Sequence, residues 1–321
     1  MGRRVQVTTV NSGRRQLLQA LGASVALAGL GGARCLNAQT QPLTATRLRD
    51  GLVQIVGAGG NIVVRPSADG LLMVDSGGPN RGQDLAKFIA AQFGSSPVRV
   101  LFNTHWHLDH TSGNEEIIRD GVMAISHENT RLWMSTQFFV DWENRRYLPR
   151  SPAALPNRTF LSHEPQPQSV TFAGEKIEYA HLLGAHTDGD IYVALREHNV
   201  LVAGGTVTAS QYPVLDYITG GWIGGMVDAT KKLIGMTDLE TLIVPDSGPV
   251  QRRKDLEFQL EMLETVRERI ETIALDGRGV DDMIEENITK EFDARYGGDS
   301  ALFIANAYEG MWWNRLRGTV A

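Results

Sequence analysis

Between Thr104 and His110 the chain reads Thr-His-Trp-His-Leu-Asp-His, which puts three imidazoles and a carboxylate into six consecutive positions. Few arrangements tolerate that density. Histidine and aspartate add little to packing, and three neutral imidazoles held together need a cation or water for their ring nitrogens. His105 and His107 flank Trp106, so an extended or turning backbone aims both rings to one side. Asp109 and His110 follow at once and can address a second, neighbouring position. A solvated polar loop would not require this composition, whereas a metal site does.

The surrounding pattern is that of an α/β protein. Residues 98–103 read as a buried strand that delivers the motif at its carboxyl end, where α/β folds place their sites. Upstream, 52–56, 61–65 and 71–75 are short β-branched or apolar runs. They are separated by Gly57-Ala58-Gly59-Gly60 and Ser67-Ala68-Asp69-Gly70, which are hairpin-turn compositions. Residues 82–94 carry Leu85, Phe88, Ile89 and Phe93 on one helical face. Short helices are expected at 114–120 and 127–136, strands at 169–173, 176–182, 190–195 and 199–203, and a long helix at 251–275. The stretch 138–168, with five prolines, reads as an irregular surface excursion. Phe303, Tyr308, Trp312 and Trp313 recur at helix spacing near the end, which suits core packing or a subunit contact in a homo-oligomer.

Composition sets limits on partners and compartment. With 321 residues, 42% of them hydrophobic and 21% charged, the chain can bury a sizeable core. Arg14-Arg15 precede an uncharged apolar run from Leu17 to Leu30, and small residues follow near Ala38. This reads as a twin-arginine export signal over 1–38, with one domain and a C-terminal helical extension over 39–321. The run is too short to span a bilayer, and Arg34 beside Cys35 argues against a lipid anchor. The expected location is therefore periplasmic or secreted, with no stable membrane anchor. Cys35 is the only cysteine, so residues 39–321 offer neither a disulfide nor a thiolate ligand. Removing five arginines with the leader takes the formal net charge from −6 to −11. That disfavours nucleic acid as a partner and leaves a small-molecule substrate.

The His-x-His-x-Asp-His segment resembles the signature of the metallo-β-lactamase superfamily, and the likeness extends over about residues 45–275. Leu71 to Gly77 looks like the strand and turn before the family's metal loop. Gly184-Ala185-His186-Thr187-Asp188-Gly189-Asp190 looks like the loop that supplies its third histidine. Trp222 to Gly225 and Val244 to Pro249 follow in the expected order. The resemblance implies a four-layer αβ/βα sandwich. It also implies a zinc ion on His105, His107 and His186, with an open position for water. Bound cation lowers the pKa of water from about 15.7 towards ~7, so hydroxide becomes available at neutral pH.

The second family position departs from this pattern. Asp109 and His110 match two of its ligands, but the bridging aspartate falls at Gly205 and the late histidine at Ser247. One zinc ion is therefore expected, with the second position weak or empty. Asp246 is one place off register and is not counted as a ligand. Asp109 and His110 are then free for catalysis, Asp109 as a base for the water and His110 as a hydrogen-bonding partner. Asp75 and Asp190 are candidates for fixing imidazole orientation, and Asp75 is equally a candidate turn cap. His127 and His181 are read as structural.

The expected activity is hydrolysis of an ester, lactone, amide or β-lactam bond by metal-bound hydroxide. The alternative is a non-catalytic exported protein that keeps one metal. Two-metal nuclease chemistry is disfavoured by the acidic composition, and di-iron redox chemistry by His107, where that branch of the family carries glutamate.

Overall fold

Continuous apolar strands buried on both faces organise the molecule. The computed structural model describes residues 41–119, 121–161 and 167–318, without the side chains of 315–318; the expected leader lies outside them. In chain order the elements are β1 (Thr44–Arg49), β2 (Leu52–Val56), β3 (Ile62–Ser67), β4 (Gly70–Val74), α1 (Gly82–Phe93) and β5 (Val98–Phe102). The histidine motif runs into the single turn α2 (Leu108–Thr111), followed by α3 (Asn114–Ile117), β6 (Met123–His127), α4 (Glu128–Ser135), β7 (Phe138–Val140), β8 (Arg145–Tyr147) and β9 (Arg158–Phe160). The second half holds β10 (Gln168–Phe172), β11 (Glu175–His181), β12 (Ile191–Leu195), β13 (Val200–Gly204), α5 (Ile223–Gly235), β14 (Leu242–Pro245), α6 (Arg253–Leu275), α7 (Val280–Glu285), α8 (Asp293–Tyr296) and α9 (Ala301–Gly318).

Two mixed sheets form, one ordered β1-β2-β3-β4-β5-β6-β9 and the other β10-β11-β12-β13-β14. Side-chain alternation along each strand sorts the layers. In β4, Leu72 and Val74 face the second sheet, while Leu71 and Met73 face Leu85 and Ile89 of α1. In β12, Ile191, Val193 and Leu195 face the first sheet, while Tyr192 and Ala194 face α5 and α6 through Met226, Leu263 and Val266. Strands covered on both sides have no polar face, which is why they read as unbroken apolar runs. The outcome is the four-layer αβ/βα arrangement that the resemblance implied.

Within the expected excursion, residues 138–160 carry more regular structure than the prolines suggested. β7 and β8 form an antiparallel hairpin, and β9 pairs with β6 in parallel at the edge of the first sheet. Strands of three residues carry too little periodicity to show in a sequence. Tertiary packing orders the hairpin, because Val140 and Tyr147 bury against Trp106 of the metal motif together with Met134.

Candidate metal centre

Strand direction brings the candidate ligands to one edge. β4 and β5 run parallel, so Asp75 and Thr104-His105 leave their carboxyl ends side by side. β13 and β14 are also parallel, which sets Gly205 beside Asp246. β12 runs antiparallel to β13, so the loop carrying His186 enters at the same edge. The two sheets are tied there by Asn61, whose amide donates to the carbonyls of Pro245 and Gly248 at 3.0 Å, while its backbone N–H donates to Asp246 O at 2.8 Å. Gln54 in turn donates to Asn61 Oδ1 at 2.7 Å.

His105, His107 and His186 meet as the sequence led us to expect. Their rings stand nearly perpendicular to one another, at 83°, 85° and 89°, with centroids 4.6–4.8 Å apart. Fixed partners set each tautomer. Asp75 accepts from the Thr104 N–H at 2.8 Å and from the Thr104 hydroxyl at 2.7 Å. With its own proton so engaged, Thr104 Oγ1 accepts from His105 Nδ1 at 3.0 Å, leaving the lone pair on Nε2. The Val214 carbonyl accepts from His186 Nδ1 at 2.5 Å, and the Asp216 carboxylate accepts from His107 Nε2 at 3.2 Å. The remaining atoms, His186 Nε2 and His107 Nδ1, face each other at 2.9 Å with lone pairs on both.

His105 Nε2 is buried and has no hydrogen-bond partner among the described residues. Burial is the main reason the imidazole of His105 is held well below its ordinary pKa, and the nearby rings of His110, His186 and His107 add to the effect. His186 is pushed down to about 4, by burial and then by His107. Three convergent ring nitrogens, two of them on rings that burial keeps from protonation, make a donor set that fits a divalent cation such as zinc.

Asp216 escaped the sequence reading. It is fully buried, accepts from the Thr219 hydroxyl at 2.6 Å as well as from His107, and lies 109 residues from that ring. Burial works against the charge on His107, but Asp216 outweighs it and makes the ring a stronger base. No local motif announces such a partner; only the Asp-x-x-Thr turn at 216–219 hints at a capped bend. Asp216→Asn should weaken zinc binding at the three-histidine position by about 10–100-fold, measured by competition with a chromophoric chelator.

The remaining candidates separate. His110 sits with its Nε2 2.8 Å from Asp246 Oδ1, and its Nδ1 donates to Asp75 at 2.8 Å. Asp246, which the sequence reading left out, therefore reaches the site, while Ser247 is exposed. Asp109 lies at the mouth, half exposed, with a carboxylate oxygen 3.7 Å from His110 Nε2. Asp190 has no hydrogen bond to an imidazole among the described residues. It accepts from the Thr187 N–H and hydroxyl at 2.7 and 3.0 Å and so shapes the loop behind His186. Gly205 holds the ring of His186 over its backbone, and a Cβ there would stand 2.1 Å from His186 Cδ2.

His127 and His181 stack at 3.9 Å away from the centre. Burial, and then the facing His181, push His127 from 6.5 down to about 3. The unfolded chain takes up this proton near pH 6.5 and the folded chain resists it until about 3, so the contribution is complete above that window and lost on acidification through it. His127→Asn, which keeps an acceptor for the Asn129 N–H, should flatten the loss of stability between those pH values in urea titrations.

A family model described as the metallo-beta-lactamase superfamily matches residues 57–264. No curated protein matches. Among solved structures, the inverting sec-alkylsulfatase Pisa1 of Pseudomonas sp. superposes with a TM-score of 0.66 at 15% identity, covering 83% of this chain and 50% of that one. The chain thus spans half the length of that sulfatase. A metallo-beta-lactamase of Pontibacter korlensis gives a TM-score of 0.53 at 21% identity, covering 70% of this chain and 99% of that one. The mono-zinc form of FIM-1 from Pseudomonas aeruginosa gives 0.56 at 16%, covering 70% and 96%. These likenesses concern the fold.

Proposed function

Because the chain belongs to the metallo-beta-lactamase superfamily, we propose that it is a zinc-dependent hydrolase of a small ester, lactone, amide or β-lactam. The observation that carries this reading is the set of three convergent imidazole lone pairs, His105 Nε2, His107 Nδ1 and His186 Nε2, each fixed from behind by a separate acceptor. Zinc held there supplies a Lewis acid and acidifies water at neutral pH. The chain's own residues do the rest. Thr104, Asp216 and Val214 hold the rings, and Asp109 at the mouth is assigned as the base that orients water and takes its proton. His110 is assigned to hydrogen-bond the reacting group.

Carboxylates dominate the surroundings, since His107 feels Asp109 and Glu143 besides Asp216. A neutral carbonyl substrate suits that field better than the anionic sulfate ester of the alkylsulfatase. Arg14-Arg15, the apolar run after them and the absence of cysteine from 39–321 support export; among the described residues no helix is long and apolar enough to cross a membrane.

Gly205 and Ser247, which cannot serve as the family's second-site ligands, favour a second reading in which the protein binds one metal without catalysis. Turnover across an ester, lactone and β-lactam panel, with His105→Ala as control, separates the two. Hydrolysis that depends on His105 supports the enzyme, and zinc binding without any hydrolysis supports the binding protein.

A further inference from the structure

We propose that the C-terminal helix α9 is a positioning element of the centre, pressing on the segment 214–222 and so holding the acceptors that aim His107 and His186. The inference rests on the trio as the working centre. It goes beyond that reading, to residues that the family match at 57–264 does not reach.

One short segment aims two of the three rings. Val214 O accepts from His186 Nδ1, and the Asp216 carboxylate accepts from His107 Nε2. The Asp216 N–H donates to His186 O at 2.9 Å, and the Trp222 N–H to Ala185 O at 3.1 Å. Thr219 adds two ties, its carbonyl accepting from the Asp188 N–H at 2.8 Å and its hydroxyl from Trp106 Nε1 at 3.1 Å. His105 differs, because its acceptor Thr104 stands just past the end of β5. The segment itself belongs to no strand, and its regular structure is the one turn Tyr217–Thr219. Groups carried on such a loop keep a fixed geometry only when something packs behind them.

The C-terminal helices supply that backing. Gly310, in the middle of α9, lies against the segment, where a Cβ would stand 3.3 Å from Gly221 O and Trp222 Cβ and 3.4 Å from Tyr217 Cβ. Glycine inside a helix costs about 1 kcal/mol relative to alanine, and this close approach accounts for it. Three residues on, Trp313 packs against the ring of Tyr217, with centroids 6.4 Å apart. The Tyr217 hydroxyl continues to Asp141 Oδ1 at 2.7 Å, so the segment is gripped between α9 and the β7–β8 hairpin. Just before the segment, Tyr212 stacks on Phe303 of α9 with centroids 5.2 Å apart, and its hydroxyl donates to Asp293 Oδ1 at 2.8 Å. These contacts act on the rings through Val214 and Asp216. Displacing α9 should therefore release His107 and His186 together and leave His105 as it is.

The test is NMR of the metal-free full chain with isotope-labelled histidine, at mildly alkaline pH, where ring-nitrogen shifts report each tautomer. In the wild type His105 and His186 should carry their proton on Nδ1, and His107 on Nε2. Gly310→Leu drives a wedge under α9. It should turn His107 and His186 into tautomer mixtures, with His105 unchanged, and lower zinc affinity about 10–100-fold. Trp313→Ala, at a residue 45% exposed, should do the same to a smaller extent, and Trp313→Phe should restore the wild-type state. Tautomers unchanged in both variants, or His105 changing along with the other two, would overturn the proposal. Mixed tautomers without loss of zinc affinity would make α9 a helix of the fold alone, and overturn it too. Should Gly310→Leu not fold, Trp313→Ala decides by the same criteria. The hydrolase reading fails differently, by absence of turnover in a wild type that meets both expectations.

Discussion

His105→Ala is expected to reduce hydrolysis to the uncatalysed background and to remove the tightly bound zinc. The ring is fully buried at the carboxyl end of β5 and presents the one trio nitrogen that faces no partner. Without it, two lone pairs remain at 2.9 Å, too few donors for a tetrahedral catalytic ion. The fold should survive. The substitution removes one hydrogen bond to Thr104 Oγ1, a loss of about 1 kcal/mol, while Asp75 still holds Thr104 through its N–H and hydroxyl. Circular dichroism should therefore match the wild type while zinc content and kcat collapse together. Turnover unchanged in this variant would remove metal chemistry from the account.

Restoring the family's bridging aspartate with Gly205→Asp should damage the site. A Cβ at 205 would lie 2.1 Å from Cδ2, 2.6 Å from Cγ and 2.6 Å from Nε2 of His186. That ring cannot swing aside cheaply, because its Nδ1 is held by the Val214 carbonyl. Overpacking of this kind costs about 1–3 kcal/mol, and here the strain falls on a member of the three-histidine trio. We expect a melting temperature lower by about 2–4 °C per kcal/mol, loss of tight zinc binding, and activity near that of His105→Ala. Gly205→Ala should fail in the same direction, since its methyl alone makes the clash. An Asp variant with higher zinc content than wild type, beside an Ala variant with lower content, would show that a side chain fits at 205.

What could be read from the sequence followed range. Strands β2 to β5 and β10 to β13 were visible because buried apolar runs and glycine-rich turns are local signals, and α1 and α6 because their apolar stripes keep helical period. The trio was visible because two of its members stand two positions apart in one short motif and the third sits in a recognisable loop. Asp216 was invisible, since its role depends on a ring 109 positions away. Asp246 was placed outside the site by counting register, yet register does not say how Asn61 draws the end of β14 towards His110. β7, β8 and β9 are too short for periodicity, and packing on Trp106 orders the hairpin. The three-histidine cluster was thus legible, and the groups that aim its rings were not.

Asp75 stands in the left-handed region with φ 64°, a conformation uncommon for a residue other than glycine. From there its two oxygens reach Thr104, and through it His105, and also reach His110 directly. Whatever alters the charge or tilt of this one buried group is felt by both halves of the centre at once. Tightening one half by adjusting Asp75 must disturb the other, so independent tuning has to come from residues such as Asp216 and Asn61, which each serve a single side.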